Sequence, residues 1–296
     1  MTMSFNDEAI QHFIDKQDLQ GLIRFFGLGE FEAAIKEQAL ESKRLRVEPD
    51  AKERGSSHFG GVPDLPADFL WPRRQDGRPL SALARLDLCE ISFWAERNHL
   101  PPEGVLTVFY DLGEQPRGFQ SGDKDGLRVY FHDRDINLVP TIAPLNLNER
   151  LVLPASKIRF EDELTFPDFK DCLAENLTFA GTEPYKAFLN SWYQQSASQS
   201  GCHRLLGYPQ LLEGDVREEC ALASDGTYES DLDGRAMDRA REIASEATSW
   251  VLLMQIDREP ECGIEWSDQG MLYIMIERDH LLERKFDNSW AMIQGQ

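Results

Sequence analysis

The side chains able to act as acid, base, nucleophile or metal ligand are few and widely spaced. The six histidines are His12, His58, His99, His132, His203 and His280, and no HExxH or HxH spacing occurs. The five cysteines, Cys89, Cys172, Cys202, Cys220 and Cys262, include no CxxC. An odd number at wide spacing suits reduced thiols rather than a disulfide framework or a zinc ribbon. Cys202 adjoins His203, but no second pair stands at ligand spacing. Ser56-Ser57-His58 lies in a polar connector, and His132-Asp133 with Asp135 reads as the loop after a strand. There is no Gly-x-Ser-x-Gly, no P-loop and no GxGxxG at the head of a helix. The one constellation suited to acid–base work or metal binding is His203, Asp257, Trp266 and Asp268. Asp257 ends an apolar strand and Asp268 sits in the turn before the next. A plainer role competes: Asp268 bonds its own turn, Asp257 satisfies backbone N–H groups at the strand end, and His203 braces that turn. The chain is therefore expected to be non-catalytic, with neither metal nor cofactor.

Charge restricts the partner. The 296 residues hold 31 Lys and Arg against 52 Asp and Glu, a net charge of −21. Nucleic acid and anionic membrane would be repelled, whereas a basic protein would be attracted. Residues 213–246 concentrate the acids, and 161–175 add more. The expected partner-binding residues are Asp215, Glu218, Glu219, Asp225, Tyr228, Glu229, Asp231 and Asp233. Tyr228 is the expected apolar anchor, with Trp192 and Tyr193 as further candidates and Trp192 the more core-like. No apolar run approaches the ~20 residues of a membrane span, and no secretory signal is visible, so a cytoplasmic location is expected.

The elements that would position these groups follow from periodicity. Residues 6–47 read as helices: Ile10, Phe13 and Ile14 share a face, as do Leu19, Leu22, Ile23 and Phe26. Residues 48–57 are a polar connector. Ala84, Leu86 and Leu88 alternate as in a half-buried strand, and Val105–Tyr110 is a near-continuous apolar run, as in a strand buried on both faces. Leu127–Phe131, Val251–Ile256 and Met271–Ile276 also read as strands, and 164–199 and 232–248 as helical. A weak internal echo joins the halves. Gly60-Gly61-Val62-Pro63 matches Leu206-Gly207-Tyr208-Pro209, Leu83–Asp87 matches Leu253–Asp257, and Gly104–Phe109 matches Gly270–Met275, at offsets of 146, 170 and 166 residues.

Several stretches together resemble one family. Phe59-Gly60-Gly61-Val62-Pro63-Asp64-Leu65-Pro66, Trp71-Pro72, Gly77-Arg78-Pro79-Leu80 and Leu83–Leu88 are similar to the opening signature of the YwqG-like bacterial proteins. Leu100–Leu106 resembles their LPxxGxL strand entry, His203–Pro209 their HxxxGYP turn, and Leu253–Asp257 with Gly263–Gly270 their LLQID and GxxWxDxG closing motifs. Arg85 departs from the family pattern, which has Gln there; the second half keeps Gln255. The resemblance implies an internally duplicated, β-rich α+β fold with mostly antiparallel strands. Residues 1–55 would be an N-terminal helical extension and 56–296 the duplicated domain, with halves about 56–155 and 200–296 and a helical insert at 160–199. The wider group includes ribosomal-protein chaperones related to programmed cell death protein 2, and bacterial members that resemble immunity proteins of polymorphic toxin systems. The resemblance thus implies protein binding: neutralisation of a basic toxin domain such as a nuclease effector, with chaperoning of a basic ribosomal protein as the alternative. An enzyme built on His203, Asp257 and Asp268 is the third reading.

Overall fold

The computed structural model describes residues 5–48, 57–168, 182–197, 201–227 and 234–295. Twelve strands lie among them. Ten form one sheet in the order β12-β11-β10-β9-β1-β8-β2-β4-β5-β6. The first five of these are β12 (Trp290–Gln294), β11 (Met271–Glu277), β10 (Trp250–Ile256), β9 (Arg204–Leu205) and β1 (Leu40–Glu48). The other five are β8 (Ser156–Thr165), β2 (His58–Phe59), β4 (Ser81–Asp87), β5 (Val105–Tyr110) and β6 (Leu127–His132). The remaining two, β3 (Asp64–Pro66) and β7 (Leu138–Pro140), pair with each other. Every pairing is antiparallel. The sheet curls almost into a barrel. Phe131 of β6 meets Phe286 beside β12 at 5.7 Å between ring centroids, and Ile293 of β12 donates to the Arg117 carbonyl at 3.0 Å.

Strand composition explains the layering. In β11, Leu272, Ile274 and Ile276 face one way and Met271, Tyr273 and Met275 the other, because alternate strand residues point to opposite sides. The first set joins a core shared with Leu86, Leu106 and Val108 of the other end of the sheet. The second set is covered by helices α6 (Val216–Asp225) and α7 (Gly234–Glu246) through Val216, Cys220, Ala223 and Ile243. A strand buried on both sides is nearly continuous in apolar residues, which is how β5 and Met271–Ile276 of β11 read in sequence. The short helices α1 (Phe5–Asp15), α2 (Leu19–Phe25) and α3 (Glu32–Glu37) pack their apolar stripe against α5 (Thr182–Ala197), around Leu22, Ile23, Ile35, Phe166, Tyr185 and Phe188. Helix α4 (Ser92–Arg97) follows β4, and α8 (Arg278–Leu282) follows β11.

Two expectations need correction. Residues 40–47, read as the end of a helical segment, form β1 at the centre of the sheet together with Glu48 of the expected connector, and 160–165, placed in a helical insert, complete β8. These strands are rich in charge, and the charges answer one another across the pair: Lys43 meets Asp162, and Arg46 meets Glu161 at 2.9 Å. The partner that makes the strand favourable lies more than a hundred residues away.

Outward from β1 and β8 the two sides of the sheet follow the same plan. His58 pairs with Arg85, and Arg85 with Thr107; on the other side Arg204 pairs with Gln255, and Gln255 with Tyr273. These are the offsets of 146, 170 and 166 residues seen in the sequence. Both sides carry a register shift at the matching place, between Ala82 and Ala84 and between Leu252 and Met254. Gly60 and Gly61 have φ of +59° and +74°; Leu206 and Gly207 have +59° and +81°. The Gly60 N–H donates to the Leu83 carbonyl at 2.9 Å and that of Leu206 to Leu253 at 3.1 Å. The Gly-rich turns thus set backbone direction: a Cβ on Gly60 would come within 2.4 Å of the Pro154 carbonyl oxygen.

Candidate functional site

His203 stands at the entry to β9, fully buried, with its ring 4.9 Å from that of Phe59. Its Nδ1 lies 3.1 Å from the Asp257 backbone N–H, which can only donate. The proton of the neutral ring is therefore on Nε2, which faces Glu259 Oε2 at 3.3 Å. Burial pulls the His203 pKa down, and the Glu259 contact partly offsets this. Asp257 accepts the N–H of Cys202 on one oxygen and that of Arg258 on the other, both at 2.7 Å. Glu259 also accepts the Gly201 N–H at 3.1 Å. The histidine and the first carboxylate thus come together as bracing for a turn. Glu259, absent from the sequence expectation, completes the group; its only signal was its place two residues beyond Asp257.

Trp266 is buried against Tyr110 and donates to the Ile256 carbonyl at 2.9 Å, tying the loop to the end of β10. Asp268 (φ +55°) is exposed and faces Arg117 Nη1 at 3.5 Å. The expected bond from Asp268 to its own turn is replaced by this link to the loop after β5. Beside Asp257 lies a cavity of about 550 Å³, bounded by Cys202, Pro209, Gln210 and Gln269 and by Lys186 and Tyr193 of α5. Among the described residues no three His, Cys, Asp or Glu side chains are grouped to hold a metal.

The acidic segment is partly spent on the fold. Asp215 caps α6, accepting the Arg217 N–H at 2.9 Å and pairing with its guanidinium at 2.5 Å. Glu219 is half-buried and accepts Gln294 Nε2 at 2.8 Å; burial pushes its pKa up. Asp225 takes the Thr227 hydroxyl and pairs with Arg239 of α7 at 2.8 Å, contacts that hold its carboxyl below the usual range. Glu218 is exposed on α6. Tyr228, Glu229, Asp231 and Asp233 lie outside the described residues. Exposed on and beside α6 and α7 are Glu213, Glu218, Asp225, Asp238, Glu242 and Glu246, against the exposed cations Arg239 and Arg241. Among the described residues the exposed carboxylates of this face outnumber its exposed cations, six to two. Tyr193 is no surface anchor: it is buried, and its hydroxyl bonds both the N–H and the carbonyl of Phe166 at 3.1 Å. Trp192 packs on Phe166 and Phe188 and donates to the Leu164 carbonyl at 2.8 Å.

A further cluster was hidden by the helical reading of 40–47. Arg44 of β1 and Arg204 of β9, both buried, share Glu163 of β8 at 3.4 and 3.2 Å. Arg44 also donates to the Gly201 carbonyl at 2.9 Å, and the Arg204 guanidinium lies over the Tyr193 ring at 4.6 Å. A family model matches residues 57–294. The chain belongs to the family described as a domain of unknown function, DUF1963. No curated protein matches it. The DUF1963 match begins just before β2, so α1 to α3 and the central strand β1 lie outside it while Glu163 and Arg204 lie within. The N-terminal segment is nonetheless joined to the DUF1963 sheet on both sides of β1.

Proposed function

We propose that this protein is a non-catalytic binding protein of the cytoplasm that captures a basic protein partner, and that it acts as an immunity protein neutralising a cognate toxin domain such as a nuclease effector. The observation that carries this reading is the excess of exposed carboxylates over exposed cations among the described residues of α6 and α7, in a chain of net charge −21. Such a surface steers an oppositely charged partner, raising association from ~10⁵–10⁶ to as much as ~10⁸–10⁹ M⁻¹s⁻¹ at low salt. The engagement of both His203 nitrogens and both Asp257 oxygens within the fold supports binding over acid–base chemistry. We also infer that the two sides of the sheet arose by internal duplication, which their shared offsets and register shifts support.

The test is affinity capture from the native cell by the full chain and by a Glu218→Lys/Glu242→Lys/Glu246→Lys variant, then kinetics on the captured partner. The expected result is a basic partner whose association slows roughly tenfold or more in the variant and in high salt. An acidic partner, or a rate indifferent to charge reversal, overturns the proposal.

A further inference from the structure

A groove of about 690 Å³ opens where the N-terminal helices meet the middle of the sheet. Its floor is β1 and β8, one wall is α4, and the other is formed by the start of α2 together with Trp192 of α5. The size falls within the range of small-ligand sites.

The ion pairs of this floor are lopsided. The Lys43 side chain is 12% exposed and its partner Asp162 88%. The Arg46 side chain is 19% exposed and Glu161 32%. Arg44 is buried, and its Nε–H has no partner. Behind it Arg204 shares the single carboxylate of Glu163. The nearby carboxylates of Asp257 and Glu259 are engaged by backbone N–H groups of Cys202, Arg258 and Gly201. Cations are therefore sunk in the floor while the most exposed counter-charge, Asp162, projects to solvent. The walls are aromatic: Trp94 lies 5.3 Å from the Lys43 ammonium, and Phe93, 75% exposed, lies 5.8 Å from the Arg97 guanidinium. Arg97 is itself 57% exposed and paired with Glu41 at 3.1 Å. An aromatic ring left as open as Phe93 at the mouth of a groove floored by sunken cations is suited to a flat ligand surface.

We propose that this groove binds a small organic anion with a planar apolar body. The anionic head takes the place of Asp162 at Lys43, and the ring packs between Phe93 and Trp192. This site is separate from the acidic face on α6 and α7, and it stands or falls independently of the function proposed above.

The full chain is titrated with the fluorescent dye 1-anilinonaphthalene-8-sulfonate and with its uncharged analogue N-phenyl-1-naphthylamine. The expected result is saturable one-site binding of the anionic dye, with the uncharged dye at least tenfold weaker and inorganic phosphate competing. Phe93→Ser, at an exposed position where folding is preserved, weakens binding at least tenfold, and Lys43→Gln does the same. Asp162→Asn, which frees Lys43, tightens binding threefold or more; a merely greasy patch would be indifferent to it. Absence of saturable binding overturns the proposal. So do equal affinity for the two dyes, unchanged affinity in Phe93→Ser, or failure of Asp162→Asn to tighten.

Discussion

Replacing Glu163 by Gln removes the one carboxylate shared by Arg44 and Arg204 while leaving the volume nearly unchanged. The side chains of Glu163, Arg44 and Arg204 are 7%, 2% and 0% exposed. At an effective dielectric of about 20, each charge pair at this separation carries roughly 5 kcal/mol of gross attraction. Much of that offsets desolvation, so the observable quantity is the cost of breaking a buried pair, about 3–5 kcal/mol. Two guanidiniums would then face each other at the seam between β1, β8 and β9. Against a total stability of roughly 5–15 kcal/mol the loss is large. With an m-value of about 3 kcal/mol/M it lowers the urea midpoint by about 1–2 M. The assay is urea unfolding followed by tryptophan fluorescence and circular dichroism. Glu161→Gln is the matched control: its side chain is 32% exposed and pairs with Arg46 and Arg159, so it should cost under ~1 kcal/mol. Equal losses in the two variants, or a loss below ~1 kcal/mol in Glu163→Gln, would refute the reasoning that this cluster is held by its central charge.

Two further outcomes follow from the geometry. His58, His132 and His203 all have pKa values lowered by burial from an ordinary 6.5. The unfolded chain takes up their protons first, so the stability they contribute is complete above pH 6.5 and is lost as pH falls through the lower folded values. Denaturation midpoints should drop between pH 7.5 and 5.5, less steeply in His203→Gln; a flat profile contradicts this. Gly118 has φ of +90°, and a Cβ there would stand 2.0 Å from the Ala291 carbonyl oxygen, beside the bond from Trp290 Nε1 to the Gly118 carbonyl. Gly118→Ala should cost about 2 kcal/mol or more and lower Tm by several degrees, whereas Gly77→Ala, at φ +87° with no neighbour within 4 Å, carries only the conformational strain of about 1 kcal/mol.

What could be read from the sequence was whatever is local or repeated. Val105–Tyr110 and Met271–Ile276 announce strands because burial on both sides leaves little room for polar residues. The Gly-Pro turns and the strands after them recur at offsets that the sheet register reproduces. What could not be read was whatever depends on a distant partner. Leu40–Glu48, with Lys43, Arg44 and Arg46, has the composition of a solvated helix until Asp162, Glu161 and Glu163 are laid beside it. The same omission concealed the Arg44–Glu163–Arg204 cluster and the groove above it. The acidic segment was legible as charge, but not as the mixture of caps, buried contacts and exposed carboxylates that it is. Asp215 and Glu219 hold α6 and Gln294 in place, a use of acid that counting cannot distinguish from a binding surface.

Where the two sides of the sheet differ, the difference has a physical sense. Arg85 and Gln255 occupy corresponding register positions, yet each answers a local demand. Arg85 is buried within 3.6 Å of the Asp64 carboxylate. Gln255 donates to the Cys202 carbonyl at 2.7 Å and accepts the Gln210 N–H at 2.8 Å. A cation on one side and an amide on the other cannot line a symmetric pocket, so a function common to both sides is not to be sought there. The larger difference lies in the connections. Between β2 and β4 the chain runs through the short strand β3 and a Pro-rich loop; between β9 and β10 it forms the acidic helices α6 and α7. Those helices cover the outer side of β10 and β11 through Cys220, Ala223 and Ile243 and still present carboxylates outward. A bare structural cover needs only their apolar face. The charge on the other face does nothing for the core and, by mutual repulsion, opposes compaction. Its concentration on the connection that the other side lacks is therefore the physical reason the proposed partner recognition is placed there.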